Sequence, residues 1–181
     1  MAMPSVRFIM EPGEYRAAWC AYCGWVRSEM SSVGAAGATV HLGALGSMAH
    51  RRYALGIQIA TFTLHEHFAR KYGLRQRTAP FDSTLSSGGS RRHANCPADR
   101  LAERAGLRAE QAVFAVESVL RCIGELGGAG LPLDLHMGVG RLLVLQGDVA
   151  FLFEQHGADA PLQRTTGIRW RIRPLRCLGA G

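Results

Sequence analysis

The pattern of apolar positions predicts helices and strands in a similar order in both halves of the chain. Apolar residues at steps of three and four predict an amphipathic helix over residues 14–30. Period-two alternation then predicts strands over residues 38–42, 47–50 and 55–63. A short helix is predicted over residues 64–72, and Gly73 suits its C-terminal cap.

The second half repeats this order. Asn95 is a natural N-cap and Pro97 suits the first turn, so a short helix is predicted from there to Gly106. A longer apolar helix is predicted over residues 108–126. Three strands follow over residues 131–137, 141–145 and 149–153, with the tight turn Gly147-Asp148 between the last two.

A glycine-bracketed phrase marks the same place in both halves. Residues 40–46 (VHLGALG) and 133–140 (LDLHMGVG) each run from alternating apolar positions into a small–apolar–glycine corner. His41 and His136 hold comparable positions beside these corners. We expect both side chains to face solvent on a half-buried strand. An internal repeat of this size predicts two similar units that pack against each other.

Length and composition limit the class of protein. The chain has 181 residues, 48% of them hydrophobic, which fits two small domains or one medium domain. It contains no apolar run of about 18 residues, so we expect no membrane span. Residues 1–12 have one arginine and no long apolar segment, which argues against a secretory signal. Its five cysteines, unevenly spaced, favour reduced thiols in an intracellular compartment.

The net charge of +7 is unevenly placed along the chain. Residues 95–157 contain five arginines and eight carboxylates, a net charge of −3. This argues against a pair of symmetric basic surfaces that enclose nucleic acid. The basic candidates for docking on an acidic surface are Arg51, Arg52, Arg169, Arg171 and Arg173. The alternative is that these residues belong to an ordinary solvent-exposed surface and bind no partner.

Two cysteines three residues apart, Cys20 and Cys23, raise the question of redox or metal chemistry. A thioredoxin-like pair needs a helix N-terminus after a strand, whereas this pair lies in the middle of the first predicted helix. We therefore expect both to be buried as small apolar residues. The sharper alternative is a zinc site made of these two thiols with His93 and Cys96.

Catalytic motifs are not evident in the sequence. His65 and His67 flank Glu66 without a third ligand, and we expect them at the surface. No glycine-rich phosphate loop and no serine–histidine–aspartate set stand out. We therefore expect no enzyme activity, no cofactor and no resident metal.

Eight aromatic and glycine positions carry a resemblance to a known fold: Trp19, Gly43, Gly46, Phe62 and Phe68 in the first half, and Gly138, Gly140 and Phe151 in the second. In the order of these motifs, the chain resembles the HU and integration-host-factor superfamily in its divergent eukaryotic form. It is most similar to the tandem HU-like domains of the coiled-coil-domain-containing protein 81 family.

The resemblance implies an α+β chain of two HU-like domains, each with N-terminal helices and a three-stranded antiparallel sheet, joined as an internal pseudo-dimer. The implied segments are an N-terminal extension (1–13), domain 1 (14–76), a Ser/Gly linker (77–94), domain 2 (95–157) and a basic tail (158–181). Bacterial HU dimers bend DNA with long arms that carry proline. The first arm here has no proline and the second hairpin is short, so we expect the bending device to be missing.

The resemblance also implies a non-enzymatic docking module that binds protein partners in a ciliary axoneme or a centrosome. Tubulin and axonemal or centrosomal proteins are the expected partners, and the expected location is cytoplasmic and cytoskeletal. The alternative is an HU-type DNA-binding protein without long bending arms. A zinc-stabilised adaptor is the third hypothesis.

Overall fold

The computed structural model describes residues 9–33, 39–52, 58–77 and 93–154, which form four helices and two small mixed sheets. The helices are α1 (Pro12–Val33), α2 (Glu66–Tyr72), α3 (Ala98–Ala105) and α4 (Ala109–Gly128). The strands are β1 (Thr39–His41), β2 (Gly46–Arg52), β3 (Gln58–Leu64), β4 (Arg75–Gln76), β5 (His93–Ala94), β6 (Leu133–His136), β7 (Gly140–Leu145) and β8 (Asp148–Phe153). The mixed α+β class is confirmed. None of the described helices is long and apolar enough to cross a membrane.

α1 is longer than the predicted residues 14–30, by two residues at its start and three at its end. The Glu14 carboxylate accepts a 2.7 Å hydrogen bond from the Glu11 backbone N–H, just before the first turn. Near the other end, His50 Nε2 in β2 lies 3.2 Å from the Met30 carbonyl oxygen. This contact gives a carbonyl near the last turn a hydrogen-bonding partner and ties α1 to the first sheet.

The predicted helix C-caps are confirmed, but one N-cap was placed wrongly. Gly73 and Gly106 end α2 and α3 with φ values of 65° and 67°. The N-cap of α3 is Pro97 rather than Asn95, because Pro97 is itself extended and the helix begins only after it.

The turn between β7 and β8 lies one residue earlier than predicted. Gln146 and Gly147 both have positive φ, 51° and 81°, which is the backbone geometry of a type I′ hairpin turn. Asp148, which was predicted as part of the turn, already pairs with Leu145.

Each sheet has four strands, one of which comes from the other half of the chain. The strand orders are β3-β2-β1-β5 and β4-β8-β7-β6. β5 pairs in parallel with β1, His93 opposite Thr39, and β4 pairs in parallel with β8, Arg75 opposite Asp148. The prediction of three-stranded antiparallel sheets is therefore incomplete, because each sheet has a fourth strand that pairs in parallel. A two-residue strand is too short to leave a hydrophobic period in the sequence.

The two glycine corners are closed by similar hydrogen bonds, although the first spans one residue more than the second. In the first corner, the Leu42 N–H donates to the Gly46 carbonyl over 2.9 Å. In the second corner, the Met137 N–H donates to the Gly140 carbonyl over 2.8 Å. A histidine directly precedes each donor and a glycine directly follows it.

One core cluster takes residues from both halves. Where the two sheets meet, the rings of Phe62 in β3 and Phe151 in β8 stack with their centroids 5.4 Å apart. Gln76 in β4 also joins the sheets: its side-chain amide accepts a hydrogen bond from the Leu64 N–H and donates one to the Phe62 carbonyl, both 2.7 Å long. Sharing a core suits two short segments, because each alone would bury little surface.

Candidate docking site

Each glycine corner packs against the long helix of the other half. Gly43 in the first corner faces α4, where an added Cβ atom would lie 3.2 Å from Leu120 Cδ1. Gly138 in the second corner lies against α1, where an added Cβ atom would overlap the Cys23 carbonyl oxygen. Gly43 and Gly138 each follow the N–H donor of their corner, so the two glycines hold comparable positions in the two halves. The two halves therefore hold each other reciprocally.

The second corner is closed onto its helix by two hydrogen bonds. Arg27 Nε donates to the Gly138 carbonyl over 2.7 Å, and Cys23 Sγ donates weakly to the His136 carbonyl over 3.5 Å. Burial raises the pKa of Cys23 to about 12, helped by Cys20 and opposed by Arg27, so the thiol keeps its proton at neutral pH. The space left beside this corner measures only about 210 Å³.

A cavity of about 460 Å³, termed the corner cavity below, lies beside the first corner and is lined in part by Gly43, Ala44 and Leu120. Among the described residues, none donates a hydrogen bond to the carbonyl of Gly43 or Ala44. Buried side chains form the floor: Tyr22, Phe68, Leu101, Val116 and Leu120. Polar side chains form the rim: His41, His67, Lys71, Asn95, Glu117 and Arg121. The cavity thus combines an apolar interior with a polar opening.

Tyr22, one of the floor residues, has a buried hydroxyl group without a partner among the described residues. The residue is 3% exposed, and its hydroxyl has no hydrogen-bond partner among the described residues. Burial, followed by the nearby Cys96 and Cys23 thiols, raises the pKa of Tyr22 well above its ordinary value, so the hydroxyl stays neutral. A buried unpaired group of this kind costs roughly 1–3 kcal/mol. The hydroxyl is enclosed by protein atoms, so this cost is borne by the fold itself.

The rim of the corner cavity is net positive. In the described part of the chain, Lys71 and Arg121 have no carboxylate within ion-pairing distance. Lys71 Nζ lies 5.0 Å from the centroid of the Tyr72 ring, as a cation–π contact. Glu117 is the one carboxylate among the lining residues. Two cations against one carboxylate favour an anionic group at the opening.

A second histidine holds His41 at the rim. His41 Nε2 lies 2.8 Å from His93 Nδ1, and the two rings stack with their centroids 5.1 Å apart. One ring must donate and the other accept, so at least one of the two rings is neutral in this arrangement. The short strand β5 thus orients a side chain of the cavity that lies far from it in sequence.

The basic side chains of the second sheet, in contrast, are paired with carboxylates. The Nε atoms of Arg75 and Arg77 lie 3.6 and 3.7 Å from the Asp148 carboxylate. Arg141 forms a two-point ion pair with Asp134, in which Nε lies 2.9 Å from Oδ1. These arginines are less available to an anionic partner than the two rim cations.

The residues that carry the family resemblance lie in the core or in the corners. Phe62 and Phe68 are buried, and Trp19 and Phe151 are half-buried against the core cluster. Gly43, Gly46, Gly138 and Gly140 form the two corners. Of this set, Gly43 and Phe68 also line the corner cavity.

The four residues considered for zinc do not form a site. Among the described residues, no group of three or more histidine, cysteine, aspartate or glutamate side chains is arranged to hold a metal ion. Cys23 is buried as expected, but the expectation that Cys20 is buried is wrong, because it lies on the exposed side of α1. His93 contacts His41, and Cys96 lines the corner cavity. Burial raises the pKa of Cys96 to about 11.

The arginines predicted for docking fall at or beyond the limits of the described residues. Arg51 and Arg52 end β2, where their backbone is described and their side chains are not. Arg169, Arg171 and Arg173 lie outside the described residues.

The cations at the cavity were missed from the sequence. Lys71 and Arg121 lie far apart along the chain, and no spacing rule joins them. His65 and His67 are exposed as predicted, and His67 is part of the rim. The one sequence feature that indicated the corner cavity was the repeated glycine motif, in which Gly43 corresponds to Gly138.

The sequence matches no protein-family model, and no curated protein matches it significantly. Its function is therefore inferred from the corner cavity, its rim charges and the family resemblance.

Proposed function

We propose that the chain is a non-enzymatic docking module that binds an acidic segment of a protein partner at the corner cavity. One observation carries the proposal: an open apolar cavity lies beside Lys71 and Arg121, two cations without a carboxylate partner among the described residues. Such a site suits a segment that offers both an apolar side chain and carboxylates.

The cellular setting follows from the family resemblance rather than from the cavity. The resemblance to tandem HU-like domains implies a ciliary axoneme or a centrosome, with tubulin or axonemal and centrosomal proteins as partners. The cytoplasmic, cytoskeletal location and the assignment of the two halves as HU-like domains belong to the same proposal. The reciprocal packing of Gly43 and Gly138 on opposite helices supports a covalent pseudo-dimer.

HU-type DNA binding is the second candidate, and the net charge of +7 favours it. Two observations weigh against it. Arg75, Arg77 and Arg141 of the second sheet are already paired with carboxylates. The hairpin between β7 and β8 is closed by two residues, Gln146 and Gly147, which leaves no arm there to enter a DNA groove.

Binding measurements on the full chain with microtubules and with duplex DNA separate the two candidates. We expect the chain to sediment with microtubules, whose surface is acidic, and to bind DNA weakly from about 50 to 300 mM salt. Replacing both rim cations, Lys71→Ala with Arg121→Ala, should weaken microtubule binding about tenfold. Arg70→Ala is the matched control, because Arg70 is exposed on the same helix as Lys71 but already pairs with Glu66 at 3.7 Å.

Two results would count against the docking function. The first is micromolar DNA binding at physiological salt with a steep salt dependence and no binding to microtubules. The second is microtubule binding that Arg70→Ala weakens as much as the double rim variant does, since binding would then follow total charge rather than the corner cavity.

A further inference from the structure

Two basic side chains meet at the junction between α2 and α4. An added Cβ atom at Gly124 of α4 would overlap the Tyr72 ring of α2, so the two helices touch at this point. Lys71 directly precedes Tyr72, and Arg121 lies about one turn before Gly124. Both cations therefore flank the same helix contact, and both line the corner cavity.

Carboxylates close to these cations in sequence do not neutralise them. Glu117 lies about one turn before Arg121, a spacing at which opposite charges commonly pair, yet no ion pair joins the two side chains. The Glu66 carboxylate on α2 pairs with Arg70 rather than with Lys71. Two like charges at one junction repel each other, and an anion bound by both would remove that repulsion.

From this arrangement we propose that the acidic partner segment carries a phosphorylated serine or threonine, whose phosphoryl group binds Lys71 and Arg121. Acidic residues of the segment give the basal docking, and phosphorylation strengthens it. The inference rests on the proposed docking function and names the modification that regulates it. Three properties lead to this choice: the two cations, the neutral donors beside them and the apolar floor of the corner cavity.

The charge of the two cations suits a phosphoryl group better than a single carboxylate. A phosphorylated side chain carries a charge of about −1.5 to −2 at pH 7, whereas an aspartate or glutamate carries one negative charge. Its terminal oxygens can accept hydrogen bonds from the Lys71 ammonium and the Arg121 guanidinium together. One side chain of the partner can thereby neutralise both cations, for which two separate carboxylates would otherwise be needed.

Neutral polar groups of the rim can also donate hydrogen bonds to phosphate oxygens. Asn95 carries a side-chain amide and His67 an imidazole, and both residues are exposed and line the corner cavity. Glu117 is the one carboxylate among the lining residues. The rim is thus rich in donors, which matches a ligand group whose oxygens accept.

The apolar floor favours a protein segment over a free phosphate ion or a membrane surface. Phe68, Leu101 and Leu120 are buried floor residues, and the volume of about 460 Å³ suits an apolar side chain with its adjoining backbone. Serine and threonine have short side chains, so the residue next to the phosphorylated one can reach the floor while the phosphoryl group stays at the rim. A free phosphate ion would leave the floor empty, and a flat membrane surface would not fill it.

The test compares three peptides on the full chain by calorimetry. The peptide acetyl-Glu-Leu-phosphoserine-Glu-Glu-amide offers both an apolar and a phosphoryl group, and its two relatives carry glutamate or serine in place of phosphoserine. We expect the phosphoserine peptide to bind about tenfold more tightly than the glutamate peptide, as one added charge-assisted hydrogen bond implies. The serine peptide should bind most weakly. Equal affinities of the phosphoserine and glutamate peptides would overturn the proposal.

A double variant of the rim cations tests where the phosphoryl group binds. Lys71→Ala with Arg121→Ala should remove the preference for phosphoserine over glutamate. Arg70→Ala should keep that preference, because Arg70 is exposed on the same helix but already paired. A preference that survives in the double variant would place the phosphoryl group elsewhere and the proposal would be wrong.

Removing the carboxylate of the rim should have the opposite effect. Glu117→Gln should strengthen binding of the phosphoserine peptide about threefold, because a like charge near the phosphoryl group is lost. Glu110→Gln makes the same chemical change at an exposed position of α4 that does not line the cavity, and should leave binding unchanged. Equal effects of the two variants would show that binding follows total charge rather than this site. Thermal melting of all variants checks that each is folded.

Other ligands are outcomes of the same experiment. If inorganic phosphate alone binds as tightly as the phosphoserine peptide, or if phosphatidylcholine vesicles carrying a phosphoinositide bind more tightly, the proposal is wrong. If phosphoserine gives no gain over glutamate while the chain still sediments with microtubules through Lys71 and Arg121, this inference fails and the docking function stands. If neither the peptides nor microtubules bind, both fail.

Discussion

Gly138 lies directly against the backbone of Cys23, with no room for a side chain between them. Its φ of 83° is a value that residues with a Cβ atom rarely adopt. Its carbonyl accepts a hydrogen bond from the Arg27 side chain, which adds a second contact between this corner and α1. This contact joins the two halves at a point that neither half could form alone.

We expect Gly138→Ala to destabilise the chain strongly. The positive φ costs about 1–2 kcal/mol for a residue with a Cβ atom, and the overlap with the Cys23 carbonyl adds roughly 1–3 kcal/mol. Gly130→Ala is the matched control, because Gly130 has a φ of 78° but nothing within 4 Å of the added atom. Urea unfolding should therefore show a clearly smaller loss for Gly130→Ala. Equal losses would mean that the backbone contact contributes nothing.

Neither half of the chain should fold without the other. The core cluster combines Tyr22 and Val26 of α1 with Leu101 of α3 and Leu120 of α4, and each sheet takes a strand from the other half. We expect fragments 9–77 and 93–154 to be largely unfolded alone by circular dichroism, and to regain structure when mixed. A cooperative melting transition in either isolated fragment would contradict the shared core.

Gln76→Glu should destabilise the junction between the sheets by about 1–3 kcal/mol at neutral pH. The amide of Gln76 must both accept from Leu64 and donate to Phe62, and a carboxylate can only accept. Gln111→Glu is the control, because that side chain only accepts, from Arg108. Thermal melts should show a loss for Gln76→Glu alone.

The stability loss caused by Gln76→Glu should depend on pH. Facing the Phe62 carbonyl raises the pKa of the new carboxyl group above its ordinary value of about 4.3. The penalty should therefore be present above the folded-state pKa and disappear as the pH falls toward about 4, where the protonated group can donate. A difference from wild type that stays constant from pH 7 to about 4 would contradict this account.

Two cysteines should be unreactive and should make the fold sensitive to alkali. Burial raises the pKa of Cys23 to about 12 and that of Cys96 to about 11, so both keep their protons at pH values where an unfolded thiol has lost its own. Stability should decline as the pH rises from about 9 toward 12. Cys23→Ala should make this decline shallower, as measured by urea unfolding at a series of pH values.

Alkylation rates provide an independent measurement of how strongly burial suppresses ionisation of the Cys23 and Cys96 thiols. At pH 8 a thiol with a pKa near 11 is only about one-thousandth ionised. Cys20 and Cys122 are exposed and should react with iodoacetamide first, with sites assigned by peptide mapping. Cys96 reacting as fast as Cys122 would show that the thiol on the corner cavity is open to solvent.

The order of helices and strands could be predicted from the sequence because it depends on local properties. The apolar period of residues 14–30 and the αL preference of Gly73 and Gly106 act within a few residues of the chain. The cap of α3 and the turn at Gln146 and Gly147 were each misplaced, because neighbouring residues offered a second plausible signal. The exchanged strands β4 and β5 were missed because two residues show no period.

Local patterns in the sequence suffice to predict the α+β composition, the two glycine corners and the comparable positions of their flanking histidines. They do not predict that each corner packs on the helix of the other half, or that one corner accepts a hydrogen bond from Arg27 while the other borders the corner cavity. Which distant segments meet depends on how whole surfaces fit together, and no local pattern contains that information. Lys71, Arg121 and Tyr22 become a site only because that fit brings α1, α2 and α4 to one cavity.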